Sequence, residues 1–171
     1  MKSIRKMVFL SLLVSVGLAL SVIEMSIPLP ITIPGAKLGL SNMVVLVTLV
    51  VFGFKEAFIV STLKSLVLML VTGSVSSLIY SFSGAVLSSI AMYIGYKYFS
   101  KVFSLIGVSI LGALAHNFAQ VSVASFMMKN LRIYTYLPFL MLMSIFTGYF
   151  VGLSSRYIIK NLEHQFKDIT L

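Results

Sequence analysis

Residues 7–23 read MVFLSLLVSVGLALSVI, an apolar run without a charged residue that follows the basic residues Lys2, Arg5 and Lys6. A run of this length and composition is typical of a helix that crosses a lipid bilayer. A cleaved signal peptide is the alternative, because it also has a basic start and an apolar middle. Similar apolar runs follow along the whole chain, which favours a retained membrane helix.

The composition points to the same environment. Of 171 residues, 59% are hydrophobic and 10% are charged, and the mean hydropathy is +1.07. Soluble domains contain about 25% charged residues. One soluble core of this size cannot hide so much apolar side chain, so most of it must face lipid or neighbouring helices. We therefore predict an all-α integral membrane bundle of about six transmembrane helices, forming a single domain over residues 1–171.

The apolar runs also give the expected positions of the helices. The predicted spans are residues 7–23, 38–52, 57–71, 76–96, 102–128 and 136–159. Between the first two, Pro28, Pro30 and Pro34 prevent a regular helix. Residues 26–37 are therefore expected to form a proline-rich external connection or a re-entrant segment.

Basic residues indicate the orientation, because cytoplasmic loops carry an excess of Lys and Arg. With a cytoplasmic N-terminus, the inside segments carry Lys2, Arg5, Lys6, Lys55, Lys97, Lys101, Arg156, Lys160 and Lys167, and the outside connections carry Lys37, Lys129 and Arg132. This bias predicts an even number of spans with both termini in the cytoplasm. Separately, we expect a multi-pass location in the cell membrane, the cytoplasmic membrane of a bacterium. Basic residues scattered in this way do not form the continuous patch expected for nucleic-acid binding.

Charged residues inside apolar runs are costly and need partners. Glu24 ends the first run and Lys37 follows the proline-rich segment, so the two could pair with each other. Lys64 lies inside the third run, where it faces the interior of the bundle, extends its ammonium group to the headgroups, or forms a purely structural ion pair. We expect Glu24, Lys37 and Lys64 to take part in substrate binding.

Amide and imidazole groups cluster in the fifth run. His116 and Gln120 share a helix face, and Asn117 lies on the adjoining stripe. These side chains could contact a ligand or form hydrogen bonds between helices. A metal site is not expected, because the only other histidine is His164 and the chain has no cysteine.

Residues 34–42, PGAKLGLSN, form the most unusual stretch. The glycines permit close approach of the backbone, Ser41 or Asn42 can cap the following helix, and Lys37 brings a cation near that helix start. These features suit an anionic or carbonyl-bearing ligand, although a turn that only starts a helix uses similar residues. We include Asn42 among the expected binding residues.

Small residues recur at four-residue spacing on the first helix, at Ser11, Ser15 and Ala19. Such a stripe permits close packing of another helix. The packing partner is either inside the bundle or on a second polypeptide.

The stretch at residues 34–42, together with AHN at 115–117 and Gln120, resembles the Gx transporter family, also labelled heptaprenyl diphosphate synthase component I. That family is similar in size and helix count to the substrate-binding S-components of energy-coupling factor (ECF) vitamin transporters. The resemblance implies an S-component-like fold that takes up a small vitamin, cofactor or precursor with a transmembrane coupling subunit and ATPase subunits. It also implies that Ser11, Ser15 and Ala19 dock against the coupling subunit, although alanines are usual where this chain has serines.

Catalysis by this chain is not expected. Prenyl-chain elongation needs aspartate-rich clusters that hold magnesium, whereas Asp168 is the only aspartate and the glutamates are dispersed. No phosphate-binding loop of the G-x-x-x-x-G-K-[ST] type occurs, so ATP-driven transport requires partner ATPases. We predict no catalytic residues and no cofactor. The alternatives to ATP-coupled uptake are a non-catalytic membrane subunit for heptaprenyl diphosphate or quinone biosynthesis, and an autonomous carrier.

Overall fold

The computed structural model describes residues 2–27 and 39–166, and this part of the chain is an all-helical bundle. Its six α-helices are α1 (Lys2–Met25), α2 (Asn42–Phe52), α3 (Phe54–Thr72), α4 (Val75–Tyr98), α5 (Leu105–Met127) and α6 (Leu137–Phe166), with a 3₁₀ helix over Leu131–Tyr136. The prediction of an all-α bundle of six helices is confirmed. Most of the predicted proline-rich connection at 26–37 lies outside the described residues.

Short connections between α2 and α5 reverse the chain direction. Gly53, with φ of 97°, separates α2 from α3, and Gly73, with φ of 63°, ends α3 in the left-handed region that favours glycine. The hydroxyl groups of Ser74 and Ser104 cap α4 and α5 by accepting hydrogen bonds from the backbone N–H groups of Ser77 and Gly107, each at 3.3 Å. Successive helices in this stretch therefore run antiparallel.

Contacts between side chains define the two ends of the bundle. At one end the Lys6 ammonium lies 2.6 Å from the Glu56 carboxylate, and the rings of Phe54 and Tyr93 lie 4.5 Å apart. The start of α1, the start of α3 and the end of α4 therefore meet there, and we call this the basic end. We call the opposite end the Glu24 end, after the last buried residue of α1.

The helices suit a bilayer by length and composition. Within the described part of the chain, four stretches are long and apolar enough to cross it: Ile4–Met25, Val75–Tyr98, Leu105–Met127 and Leu131–Leu162. Large apolar side chains such as Leu70 and Phe126 are exposed on the outside of the bundle, as expected for lipid contact. The chain is therefore a helical membrane protein.

The shorter helices differ from the predicted spans. The α2 helix begins at Asn42 and has 11 residues, so it rises about 16 Å, against a hydrocarbon thickness of about 30 Å. The α3 helix begins at Phe54 and includes Lys55, Glu56 and Lys64. Six complete crossings therefore stay a prediction.

Small residues on α6 allow it to pack closely on α5. A Cβ atom added at Gly148 or Gly152 would lie 2.7 Å from the Cα atom of Ile110 or Ile106, respectively. Ser144 continues this stripe toward the Glu24 end and is fully buried. Four-residue spacing of small residues is a packing signal for membrane helices, so the stripe on α6 belongs to the interior of the bundle.

Candidate functional site

The structure buries the charged residue that is hardest to place in lipid. The Lys64 side chain is 1% exposed, and its Nζ atom donates a hydrogen bond to Ser41 Oγ at 2.8 Å. The alternative in which Lys64 extends to the headgroups is therefore wrong. Lys64 faces the interior, where α3 meets the start of α2.

A glycine on α1 makes room for the lysine side chain. A Cβ atom at Gly17 would lie 3.1 Å from Lys64 Cδ and 3.6 Å from Val44 Cβ. Gly17, Ser21 and Glu24 are all buried and form the inward stripe of α1. The aliphatic part of Lys64 therefore packs against the backbone of α1, which helps to accommodate a cation in the bundle.

The Glu24 carboxylate holds the turn that precedes α2. Its Oε1 atom accepts hydrogen bonds from the backbone N–H groups of Gly39 and Leu40, the latter at 3.1 Å. Gly39 has φ of 83°, so this turn uses the conformational freedom of glycine. The predicted Glu24–Lys37 pair lies outside the described residues, because Lys37 is not among them.

Asn42 begins α2 next to this turn and is 2% exposed. A Cβ atom at Gly39 would lie 3.1 Å from Asn42 Nδ2, so the amide lies over the glycine backbone. The expectation of a side-chain cap is wrong: Ser41 occupies the N-cap position without a side-chain capping bond, and its hydroxyl accepts from Lys64 instead. Glu24, Asn42 and Lys64 thus form one group where α1, α2 and α3 meet.

His116 lies between α5 and α4. Its ring is so close to Gly84 that a Cβ atom there would lie 2.6 Å from Cε1 and 2.7 Å from Nδ1. Because Gly84 has no side chain, it leaves room for the imidazole ring of His116. This role of Gly84 was not predicted from the sequence. Gln120, one turn further along α5, is 2% exposed, and both side chains belong to the buried face of the helix.

Asn117 links α5 to α6. Its Nδ2 atom donates to Ser144 Oγ at 2.7 Å and lies 3.4 Å from the Leu140 carbonyl oxygen. Ser144 in turn donates to the Leu140 carbonyl at 2.8 Å. The Nδ2 atom of Asn117 therefore forms hydrogen bonds between helices, which the sequence analysis gave as the alternative to ligand contact. His116, Asn117 and Gln120 form a second buried group, in contact with α4 and α6.

Serine pairs between α3 and α4 continue the polar interior. The hydroxyl oxygens of Ser65 and Ser81 lie 3.2 Å apart, and those of Ser89 and Ser61 lie 3.3 Å apart. Sequence reasoning missed these residues, because isolated serines are common in membrane helices. Their signal is the four-residue spacing of Ser61 and Ser65 on the same helix as Lys64.

The small-residue stripe of α1 lies on the outer surface of the bundle, beside α3. Ser11, Ser15 and Ala19 are exposed, opposite the inward stripe of Gly17 and Glu24. The two serine hydroxyls donate to the carbonyls of Met7 and Ser11, each at 3.0 Å. The alternative in which this stripe packs inside the bundle is therefore wrong. Ser11 and Ser15 instead line a groove of about 570 Å³ between α1 and α3.

The fold and its interior thus define a helical membrane protein with two groups of buried polar side chains. The chain belongs to the family described as heptaprenyl diphosphate synthase component I, whose profile it matches over residues 13–158. This match confirms the resemblance seen in the sequence. Comparison with curated proteins and with solved structures gave no match.

Proposed function

We propose that the chain is the substrate-binding membrane subunit of an uptake system, which captures a small polar molecule and relies on partner ATPases for energy. The observation that carries the proposal is the complete burial of Lys64 in an apolar bundle, next to the buried residues Ser41 and Asn42. An ionisable group near the bilayer centre costs about 2.5–3.5 kcal/mol even on the lenient insertion scale. Charges kept at such a cost generally mark binding sites or ion pathways.

The position of this group favours binding from the Glu24 end. Glu24 lies at the end of α1, and Asn42 begins the short helix α2 at the same level. The excess of basic residues at the opposite end supports a cytoplasmic basic end, so the Glu24 end would face outward. The connection at residues 26–42, most of which lies outside the described residues, stays a proposed lid.

The charge expected for the ligand rests on Lys37 and Lys64. Lys37 lies outside the described residues, whereas the Lys64 ammonium is buried and would favour an anionic group nearby. The second group, with His116, Asn117 and Gln120, would add hydrogen bonds. We therefore propose a small anionic vitamin, cofactor or precursor as the ligand. We also propose that this multi-pass protein lies in the cell membrane.

Coupling to a motor is proposed from the outer surface of α1. Ser11, Ser15 and Ala19 are exposed beside an apolar groove, where a helix of a coupling subunit could approach closely. This placement supports docking of a transmembrane coupling subunit that carries the ATPase subunits. The chain itself would have no catalytic role.

The family description favours a second candidate, a non-catalytic membrane subunit of a prenyl diphosphate synthase. The sequence lacks aspartate-rich clusters, since Asp168 is its only aspartate. A synthase partner would therefore have to supply the magnesium-binding site.

Mass spectrometry of small molecules retained by the protein tests the proposal. The protein would be purified in lipid nanodiscs, without and with prior exposure to a cell extract, and the released molecules identified. We expect one polar molecule in stoichiometric amount, together with co-purifying ATPase subunits in mild detergent. Retention of a prenyl diphosphate together with a soluble synthase would favour the second candidate. Absence of any retained molecule would contradict the uptake function.

A further inference from the structure

Two buried asparagines have amide atoms that make no hydrogen bond with any residue that the structure describes. These atoms are Nδ2 and Oδ1 of Asn42, and Oδ1 of Asn117. Both side chains are 2% exposed, so lipid headgroups and bulk water do not reach them. A buried polar atom without a partner costs about 1–3 kcal/mol. Such atoms therefore call for a specific partner.

The orientation of the Asn117 amide follows from its neighbours. The Leu140 carbonyl can only accept hydrogen bonds, and it lies 3.4 Å from the Asn117 atom assigned as Nδ2. Ser144 gives its proton to the same carbonyl, so its oxygen is left to accept from Asn117. With the amide oxygen and nitrogen exchanged, Ser144 could still donate to Asn117, but two acceptor oxygens would face each other at the Leu140 carbonyl. The remaining Asn117 atom is therefore an acceptor.

The turn before α2 holds the backbone that carries the Asn42 amide. The Glu24 carboxylate fixes the backbone N–H groups of Gly39 and Leu40, and the Asn42 amide lies over Gly39. The backbone N–H of Asn42 donates to the Gly39 carbonyl at 3.0 Å. The amide thus presents a donor and an acceptor side by side, on a short segment that a carboxylate anchors.

Only some chemical groups can pair with both the donor and the acceptor of the Asn42 amide. A carboxamide, lactam or imide has a donor and an acceptor side by side and can pair with both Asn42 atoms. A carboxylate has acceptors only and an ammonium group has donors only, so each would leave one Asn42 atom unpaired. The free acceptor on Asn117 requires a further N–H or O–H group.

We propose that Asn42 recognises an amide-type group, a carboxamide, lactam or imide, on the ligand of this site, and that Asn117 Oδ1 accepts a hydrogen bond from an N–H or O–H group of a bound molecule. This inference rests on the proposed binding function and specifies the ligand chemistry. It is compatible with an additional anionic group elsewhere on the ligand.

Matched probes test the inference. Nicotinamide and methyl nicotinate are both uncharged and share a pyridine ring and a carbonyl group, but only the carboxamide also has an N–H donor. Lys64 therefore favours neither probe by charge, and the two affinities would be measured by calorimetry on the full chain in nanodiscs. We expect nicotinamide to bind at least about fivefold more tightly, which is the contribution of one or two neutral hydrogen bonds. The Asn42→Leu variant should lose this preference. Its melting temperature should be equal or higher, because it removes two unsatisfied atoms while keeping the shape.

Two further variants complete the experiment. Asn42→Asp keeps the shape but offers acceptors only, so it cannot donate to the carbonyl group and should bind nicotinamide more weakly. This variant provides the test if the leucine variant does not fold. Asn130→Asp is the matched control, because Asn130 is exposed and only its Oδ1 atom is used, as an acceptor from the Arg132 N–H. This control should keep the full preference for nicotinamide.

The outcomes separate the inference from the function on which it rests. Equal binding of the two probes, tighter binding of methyl nicotinate, or no binding of either would overturn the amide assignment. If the purified protein still retains a native molecule in those cases, the uptake function stands without the amide group. A chain that retains no molecule contradicts the function itself, and the inference falls with it.

Discussion

The ammonium group of Lys64 lies 2.8 Å from the hydroxyl oxygen of Ser41, and both residues are almost completely buried. The pair joins the middle of α3 to the start of α2. The lysine stem reaches this position by passing Gly17 of α1, where a Cβ atom would lie 3.1 Å from Lys64 Cδ. Three helices therefore meet around one buried cation, and this meeting point is the centre of the proposed site.

The contact with Gly17 predicts a steric effect. The Gly17→Val substitution should lower the free energy of unfolding by about 1–3 kcal/mol, because it forces the Lys64 stem out of its place. Ala19→Val is the matched control on the same helix, since Ala19 is exposed and its change should stay within about 0.5 kcal/mol. Thermal unfolding of both variants in the same detergent measures the difference. Equal effects would contradict the close contact between α1 and Lys64.

The anchoring role of Glu24 predicts a local effect on the turn at 39–40. Removal of the carboxylate in Glu24→Ala should increase amide hydrogen exchange at Gly39 and Leu40 by about tenfold or more, because hydrogen bonds to charged groups contribute about 1.5–3 kcal/mol. Glu24→Gln keeps an acceptor and should have a smaller effect. Glu56→Ala removes a carboxylate at the basic end and should leave the turn unchanged. Unaltered exchange in Glu24→Ala would refute the anchoring role.

How much of this arrangement the sequence predicts depends on the cost of each group in lipid. Lys64 and Glu24 are expensive to bury, so an inward position could be inferred from their place in apolar runs. The partner of Lys64 could not, because Ser41 was equally suited to cap α2. A serine hydroxyl makes either bond at little cost, and only the tertiary structure decides between them.

The packing of glycines and serines is a second feature that could not be predicted from the sequence. Four-residue stripes of small residues occur on α1 and on α6, and the sequence does not say which stripe packs inside the bundle. Contacts of Gly148 and Gly152 with the α5 backbone assign the α6 stripe to the interior, whereas Ser15 is exposed on α1. Gly84 was also missed, because its importance depends on the His116 ring that approaches it from another helix.

The orientation in the membrane is open to a direct test, because the chain has no cysteine. Single cysteines at Lys101 and Asn130 lie at the basic end and the Glu24 end, respectively, and both positions are exposed. The positive-inside bias predicts that a membrane-impermeant maleimide labels Asn130→Cys in intact cells. Lys101→Cys should react only after the membrane is permeabilised. The reverse pattern would place the proposed site on the cytoplasmic side.

The exposed stripe on α1 predicts how a coupling subunit would be lost. Ser15→Leu should abolish co-purification of the coupling subunit and ATPases, because the larger side chain prevents close helix packing. Ser83→Leu is the matched control on α4, since Ser83 likewise donates to a carbonyl of its own helix, at 2.6 Å. Co-purified subunits would be quantified by mass spectrometry. Equal recovery with both variants would contradict docking at Ser15.

We propose that the buried group around Lys64 binds the molecule that the protein takes up. The most direct test of this proposal is the affinity of Lys64→Met for the molecule that the wild-type protein retains, with Lys97→Met as the control because Lys97 is an exposed lysine at the basic end. Methionine keeps the length of the side chain and removes the charge. We predict an affinity about tenfold to hundredfold weaker for Lys64→Met, from the loss of a charged hydrogen bond, and an unchanged affinity for Lys97→Met. If Lys64→Met folds normally and binds as tightly as the wild type, Lys64 does not take part in binding, and the proposed site is wrong.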